Sequence, residues 1–241
     1  MTTHAIEVTG LTRHYGQVAA LDGLDLTLDA GRIIALFGEN GSGKTTLLKI
    51  LAGLLAEYSG TVRVHGEAPG VESKALVAFL PDQSFLPDSL RVGQALDLFT
   101  DFFTDFDAAR ARELVDGFGI DHGRRLKELS KGQREKVQLA LVMSRRASVY
   151  LLDEPISGVD PAARSVILST ILGNYDPEAL VVISTHLIAD VEPIADAAVF
   201  LRAGRVLMAG DADDLRAEHG MSLDQIFRTS YAAPAASPLR S

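Results

Sequence analysis

The 241 residues are 47% hydrophobic and 23% charged, with a formal net charge of −9 and no cysteine. That is enough apolar side chain to fill one large α/β domain or two closely joined lobes, which excludes a disordered chain. The acidic excess argues against a surface built to neutralise nucleic-acid phosphates, and the absent cysteines remove both a disulfide framework and a thiolate metal site. The opening Met1-Thr-Thr-His4 lacks a basic region followed by an apolar one, and no uncharged apolar stretch approaches the roughly 18 to 20 residues that span a bilayer. The chain therefore reads as cytosolic and soluble by itself.

In chain order, Ile6-Glu-Val-Thr9 and Leu24-Asp-Leu-Thr-Leu28 alternate apolar and polar residues, as half-buried antiparallel strands do. The continuous apolar run Ile33 to Phe37 leads straight into Gly38-Glu-Asn40-Gly41-Ser42-Gly43-Lys44-Thr45, and Thr46-Leu-Leu-Lys-Ile-Leu-Ala52 follows with a helical pattern. A strand, a glycine-rich loop and a helix in series make a phosphate cradle. Backbone N–H groups can close around a phosphate only where side chains stay clear, hence glycine at 38, 41 and 43, and the helix adds the positive end of its dipole. Lys44 would reach the β- and γ-phosphates, and the Thr45 hydroxyl is placed for Mg²⁺. The bland alternative is a glycine-rich turn that merely opens a helix.

Thr61-Val-Arg-Val-His65, after the turn signal Tyr58-Ser-Gly60, repeats the alternation and is expected in the same β layer. By contrast, Val77 to Leu80, Val149 to Leu152, Leu180 to Ile183 and Ala198 to Leu201 are unbroken apolar runs, as expected of parallel strands covered on both faces. Between about 84 and 146 lies a helical insert, with Phe99, Phe102, Phe103 and Phe106 at helical spacing; such a stripe reads first as core and second as a partner surface. Within it, Leu129-Ser130-Lys131-Gly132-Gln133 precedes a helical pattern through Val137, Leu141 and Met143, where Ser130 is either a plain helix cap or part of an anion site. Asp153-Glu154-Pro155 ends a buried strand with two carboxylates, Asp153 suited to Mg²⁺ and Glu154 to orienting or deprotonating a water that attacks a γ-phosphate. Helix capping or a surface turn is the structural alternative for that pair. The organisation predicted is one domain over 1–229 and a mobile tail over 230–241, where two prolines follow Tyr231.

Taken together, Gly38 to Thr45, Leu129 to Gln133, Asp153-Glu154, Ser157-Gly-Val-Asp160 and Ser184-Thr-His186, in this order, resemble the nucleotide-binding domain of ABC transporters. The resemblance covers roughly residues 5 to 210. It implies a P-loop NTPase of the ABC ATPase type, an α/β fold with a mainly parallel sheet core, an antiparallel β layer and the helical insert, using ATP and Mg²⁺. It further implies that Tyr15 stacks on adenine, that Ser130, Lys131 and Gly132, with Gln133, form a signature contacting the ATP of a second copy in a head-to-tail homodimer, that Asp160 lies in the loop communicating across that dimer, and that His186 contacts the γ-phosphate. Where the family usually carries a Mg²⁺-contacting glutamine, this chain reads Phe79-Leu-Pro-Asp82-Gln83, so that either Asp82 or Gln83 fills the position, and downstream register favours Asp82. Lys131 replaces the commoner glycine of the signature.

The function so implied is ATP hydrolysis that powers movement of a substrate, in the exporter direction, through a separate transmembrane permease subunit, with this chain peripheral on the inner face of the membrane. The runner-up is a soluble ABC-type ATPase with a regulatory role. A GTP-binding switch is disfavoured because no Asn-Lys-x-Asp element occurs.

Overall fold

The computed structural model describes residues 4–232. Two long strands, β1 (His4–Tyr15) and β2 (Val18–Asp29), form a hairpin whose two-residue turn places Gly16 at φ 60°, a conformation glycine adopts without strain. They are followed by β3 (Ile33–Phe37), α1 (Lys44–Leu51), β4 (Ser59–Val64), α2 (Val71–Leu76) and β5 (Val77–Leu80). Next come α3 (Val92–Phe102), α4 (Ala108–Gly117) and α5 (Lys131–Met143), and then β6 (Val149–Asp153), α6 (Pro161–Leu172), β7 (Leu180–Thr185) and α7 (Ile188–Val191). The last elements are β8 (Ala197–Arg202), β9 (Arg205–Asp211), α8 (Ala212–His219) and α9 (Leu223–Ala232).

The described strands make two sheets. The order β2-β1-β4 gives an antiparallel layer, into which Thr61 to Val64 enter as the alternation predicts, and β5-β6-β7-β3-β8-β9 gives a larger sheet that is parallel except at β9. Side chains alternate across β3: Ile33, Ala35 and Phe37 enter one core with α6 and α9, while Ile34 and Leu36 enter another with α1 and the antiparallel layer. Both faces of the large sheet are covered from β5 to β8, which is why those strands are largely apolar, while the edge strand β9 is only half-buried.

Because β5, β6, β7 and β3 are adjacent and parallel, their C-terminal ends share one edge, with Leu80 opposite Leu152, Asp153 opposite Ser184 and Phe37 opposite Thr185. Four loops therefore leave the sheet side by side, where ligands bind in open α/β sheets.

The insert has its own core, running from Leu86 through Leu96, Phe99 and Val115 to Leu141. The aromatic stripe does not lie on one helix. The helix stops at Phe102, Phe103 turns extended, and Phe103 and Phe106 fold back on Phe99 with ring centroids 5.1 and 5.5 Å away, leaving Phe102 outside at 74% exposure. The insert is tied to the large sheet by buried Arg145, which donates to both Asp105 carboxylate oxygens and to the carbonyls of Val77 and Ala75.

Two expectations from sequence change at the C-terminal end. Strand β9 was not foreseen; it pairs with β8 through a two-residue turn in which Ala203 and Gly204 both have positive φ (48° and 76°), the hairpin geometry that Asn-Gly more often signals. Residues 230–232 are the last turn of α9 and not the start of a tail, because Phe227 and Tyr231, four apart on one face, pack on the core. The remainder of the expected tail, 233–241, lies outside the described residues.

Candidate nucleotide-binding site

The loop between β3 and α1 is closed by contacts only glycine permits. A Cβ on Gly43, at φ 108°, would collide with the Ala20 carbonyl oxygen, and one on Gly38 would stand 2.6 Å from the Leu201 carbonyl oxygen. The loop lines a cavity of about 380 Å³ with Asn40, Gly41, Ser42, Gly43, Lys44, Thr45 and Thr46 on one wall and Tyr15, Val18 and Ala20 at one end. The Ser42 hydroxyl is buried with no partner within the described chain. Tyr15 is half exposed, with the Arg13 guanidinium 4.8 Å over its ring. Lys44 is 6% exposed, donates from Nζ to the carbonyls of Gly38 (2.7 Å) and Glu39 (3.2 Å), and stands 3.7 Å from Glu154 Oε1. Burial pulls its ammonium below the ordinary lysine value, against the opposing pull of Glu154 and Asp153.

The two carboxylates at the end of β6 have different surroundings. Asp153 is 1% exposed; its Oδ1 accepts from the Ser184 hydroxyl at 2.5 Å, and its Oδ2 has no hydrogen-bond partner. Burial raises its carboxyl above the usual range although the Ser184 and Thr45 hydroxyls oppose that. A buried orphan carboxylate oxygen beside the Thr45 hydroxyl fits a hard divalent cation such as Mg²⁺. Among the described residues no set of three His, Cys, Asp or Glu could hold a metal, so such an ion would take its remaining ligands from phosphate oxygens and water.

Glu154 turns the chain away from the sheet in the left-handed region, at φ 52°, with its N–H donating to both the carbonyl and the hydroxyl of Ser184. That turn aims its carboxylate back toward the phosphate loop. There Oε2 meets His186 Nδ1 at 2.9 Å, while Oε1 faces Lys44. Asp82 lines the loop cavity, and its charge raises Asp153; Asp82 also lines an adjoining cavity of about 360 Å³, which it shares with Gln83, Lys131, Asp153 and Glu154. Ser184, quoted in the Ser184-Thr-His186 motif without a role of its own, lies opposite Asp153 in the ladder and holds both carboxylate residues in place. Its signal was the position two before His186 at a strand end.

Residues 21–157 match the family model described as ABC transporter. The chain belongs to the ABC transporter family. A daunorubicin resistance ATP-binding protein of Streptomyces coeruleorubidus is 33% identical over 91% of this chain and 72% of that protein. A nickel import ATP-binding protein of Rhodobacter capsulatus is 36% identical over 89% and 92% of the two chains. The solved structure of the ATP-binding subunit of an ABC transporter superposes with a TM-score of 0.84 at 28% identity, covering 93% of this chain and 98% of that one. This ABC transporter chain is thus an ATP-binding subunit and an ATPase with the α/β cassette fold.

The other sequence-predicted site residues of the ABC ATPase do not line the phosphate-loop cavity, although Lys131 lines the adjoining one with Asp153 and Glu154. Ser130 caps α5, its hydroxyl accepting from the Gln133 N–H (3.2 Å) while its own N–H donates to Gln133 Oε1 (3.1 Å). Lys131 pairs with Glu135 at 3.7 Å and reaches over Gly158, and Gly132 packs near Val159. None of Ser130, Lys131, Gly132 or Gln133 lines the cavity that holds Lys44. Asp160 caps α6 by accepting from the Ala163 N–H at 3.0 Å, a bond that holds its carboxyl below the usual range.

Proposed function

We propose that two copies of this ATPase close head to tail over two ATP molecules, and that their closing and opening drive cargo outward through a separate transmembrane protein. The observation that carries the composite site is that Lys44, Thr45 and Glu154 line one cavity, with Asp153 reached by Thr45 and His186 held by Glu154, whereas none of Ser130 to Gln133 lines it and only Lys131 enters the adjoining one. A second copy, turned to face the first, brings its own Ser130–Gln133 segment and the exposed start of α5 to the γ-phosphate.

In each half-site Tyr15 stacks on adenine, and the backbone of Gly38 to Thr46, with the Asn40 and Ser42 side chains, cradles the phosphates. Lys44 leaves the loop carbonyls for the β- and γ-phosphate oxygens. Thr45, Asp153 and Asp82 would hold Mg²⁺, which would neutralise phosphate charge; Asp82 is preferred over Gln83 because it alone of the two lines both the loop cavity and the one that Asp153 lines. Glu154 takes the proton of the attacking water, and His186 steers it through Nδ1 while its Nε2 faces the γ-phosphate. Across the interface Lys131 adds a positive charge to the transferred phosphate, and Asp160 keeps α6 and its preceding loop in register by capping. The test is phosphate release per chain over a dilution series. A composite site predicts activity that rises more steeply than in proportion to concentration, and a flat specific activity would overturn it.

Among the described residues no helix is long and apolar enough to cross a membrane, so passage is assigned to the partner, with this chain seated on its inner face. The surface that fits it is an apolar cleft of about 570 Å³ between the large sheet and the insert, lined by Leu54, Phe79, Phe85, Leu98 and Phe102. Outward transport is the reading taken from the resistance ATP-binding protein among the relatives, although the nickel import ATP-binding protein beside it carries the opposite direction. Phe102→Glu is expected to cut recovery of the membrane protein with this chain from native membranes by at least about tenfold, as loss of a buried aromatic anchor does. The isolated chain should hydrolyse ATP as before, and undiminished recovery would remove the cleft from the partner interface.

A further inference from the structure

The phosphate loop rests on a second layer of structure. Past the last β3–β8 pair, Phe37 opposite Phe200, the next carbonyl on β8 is that of Leu201, the oxygen against which Gly38 closes. That same oxygen accepts a 2.7 Å hydrogen bond from the Tyr231 hydroxyl at the end of α9. A chain of rings joins the two points by another route: Phe37 meets Phe200 edge-on at 5.4 Å, Phe200 meets Phe227 at 6.4 Å, and Phe227 stacks on Tyr231 at 4.0 Å. Arg202 holds the helix from the other side, donating to the Ser230 carbonyl at 3.0 Å with its guanidinium 5.5 Å over the Tyr231 ring. The far end of the loop is tied to the same hairpin, since the Gly204 N–H donates to the Ser42 carbonyl at 2.9 Å.

We infer that Tyr231 is a positioning residue for ATP binding: its hydroxyl fixes the Leu201 carbonyl, and so holds the Gly38 end of the phosphate loop in the form that receives phosphate. Burial, and after it the charge of Glu39 in the loop itself, push the Tyr231 phenol above its ordinary range, which keeps it a neutral donor and places α9 within electrostatic reach of the loop. Tyr231 does not line the phosphate-loop cavity. It acts by keeping the loop in its binding-competent population, so its loss lowers apparent affinity in proportion to the population that escapes.

Tyr231→Phe tests this in the full chain, because it keeps the ring stack and removes only the hydroxyl. The expected result is a KM for ATP raised about three- to tenfold, the span of one neutral hydrogen bond, with kcat at saturating ATP within about twofold of the parent. The melting temperature without nucleotide should stay within about 2 °C. Phe227→Ala, which breaks the ring chain as well, should raise KM by at least as much and also lower the melting temperature. A parental KM in Tyr231→Phe overturns the inference, and so does a fall in kcat and melting temperature with KM unchanged, which marks a merely structural contact.

Discussion

Glu154→Gln is expected to lower kcat by about two to four orders of magnitude while ATP still binds, the effect of deleting a positioned general base. The substitution keeps length and shape, and an amide oxygen can still accept from His186 Nδ1, so the 2.9 Å contact survives. What disappears is the ability to take a proton from water. The negative neighbour 3.7 Å from Lys44 Nζ also disappears, which frees the ammonium for the phosphates and favours retention of nucleotide. Equilibrium binding of a fluorescent ATP analogue beside steady-state phosphate release separates the two effects. Turnover at the parental rate would show that another group is the base.

Lys44→Ala should act on the other half of the problem. Lys44 is 6% exposed and its ammonium is buried among the carbonyls of Gly38 and Glu39, so it is desolvated before any nucleotide arrives. Charge-assisted bonds to two phosphates are each of about 1.5 to 3 kcal/mol, and their loss predicts ATP binding weakened by at least about a hundredfold. Lys44→Met retains most of the buried stem and should weaken binding nearly as much while melting close to the parent, which separates lost charge from lost packing. A dissociation constant within about threefold of the parent for both variants would contradict the role.

The parts of this site that were legible in the sequence are those where chemistry dictates residue type locally. Glycine at 38 and 43 is required by carbonyls from Leu201 and Ala20, residues distant in the chain, yet the pattern announces itself because only glycine suits. The parallel strands were legible because burial on both faces leaves polar side chains mainly at their C-terminal ends, as at Asp153, Ser184 and Thr185. Legibility fails where a tertiary contact decides. Strand β9 is an edge strand with a weak Ala203-Gly204 turn, and its residues alternate between exposed and half-buried without a strong apolar side. In α9, the aperiodic, alanine-rich residues with two prolines that follow Tyr231 masked the i, i+4 pair Phe227 and Tyr231. Ser130 and Asp160 were read through family resemblance as interface residues; in the single chain both spend their side chains on helix caps, a role any sequence reader would assign to Ser or Asp at such positions.

Helix α5 is shared between two interiors: Leu139, Val142 and Met143 belong to the core of the large sheet, and Val137, Ala140 and Leu141 to that of the insert. At 1.5 Å per residue it is a rod of about 20 Å, which begins beside Ser130 and ends at Val142 on the wall of the apolar cleft. A rod gripped along its middle by two packed bodies cannot shorten or bend cheaply. If the cleft seats the membrane protein and Ser130 meets the second copy's ATP, as proposed, α5 is the single stiff element that joins the two surfaces.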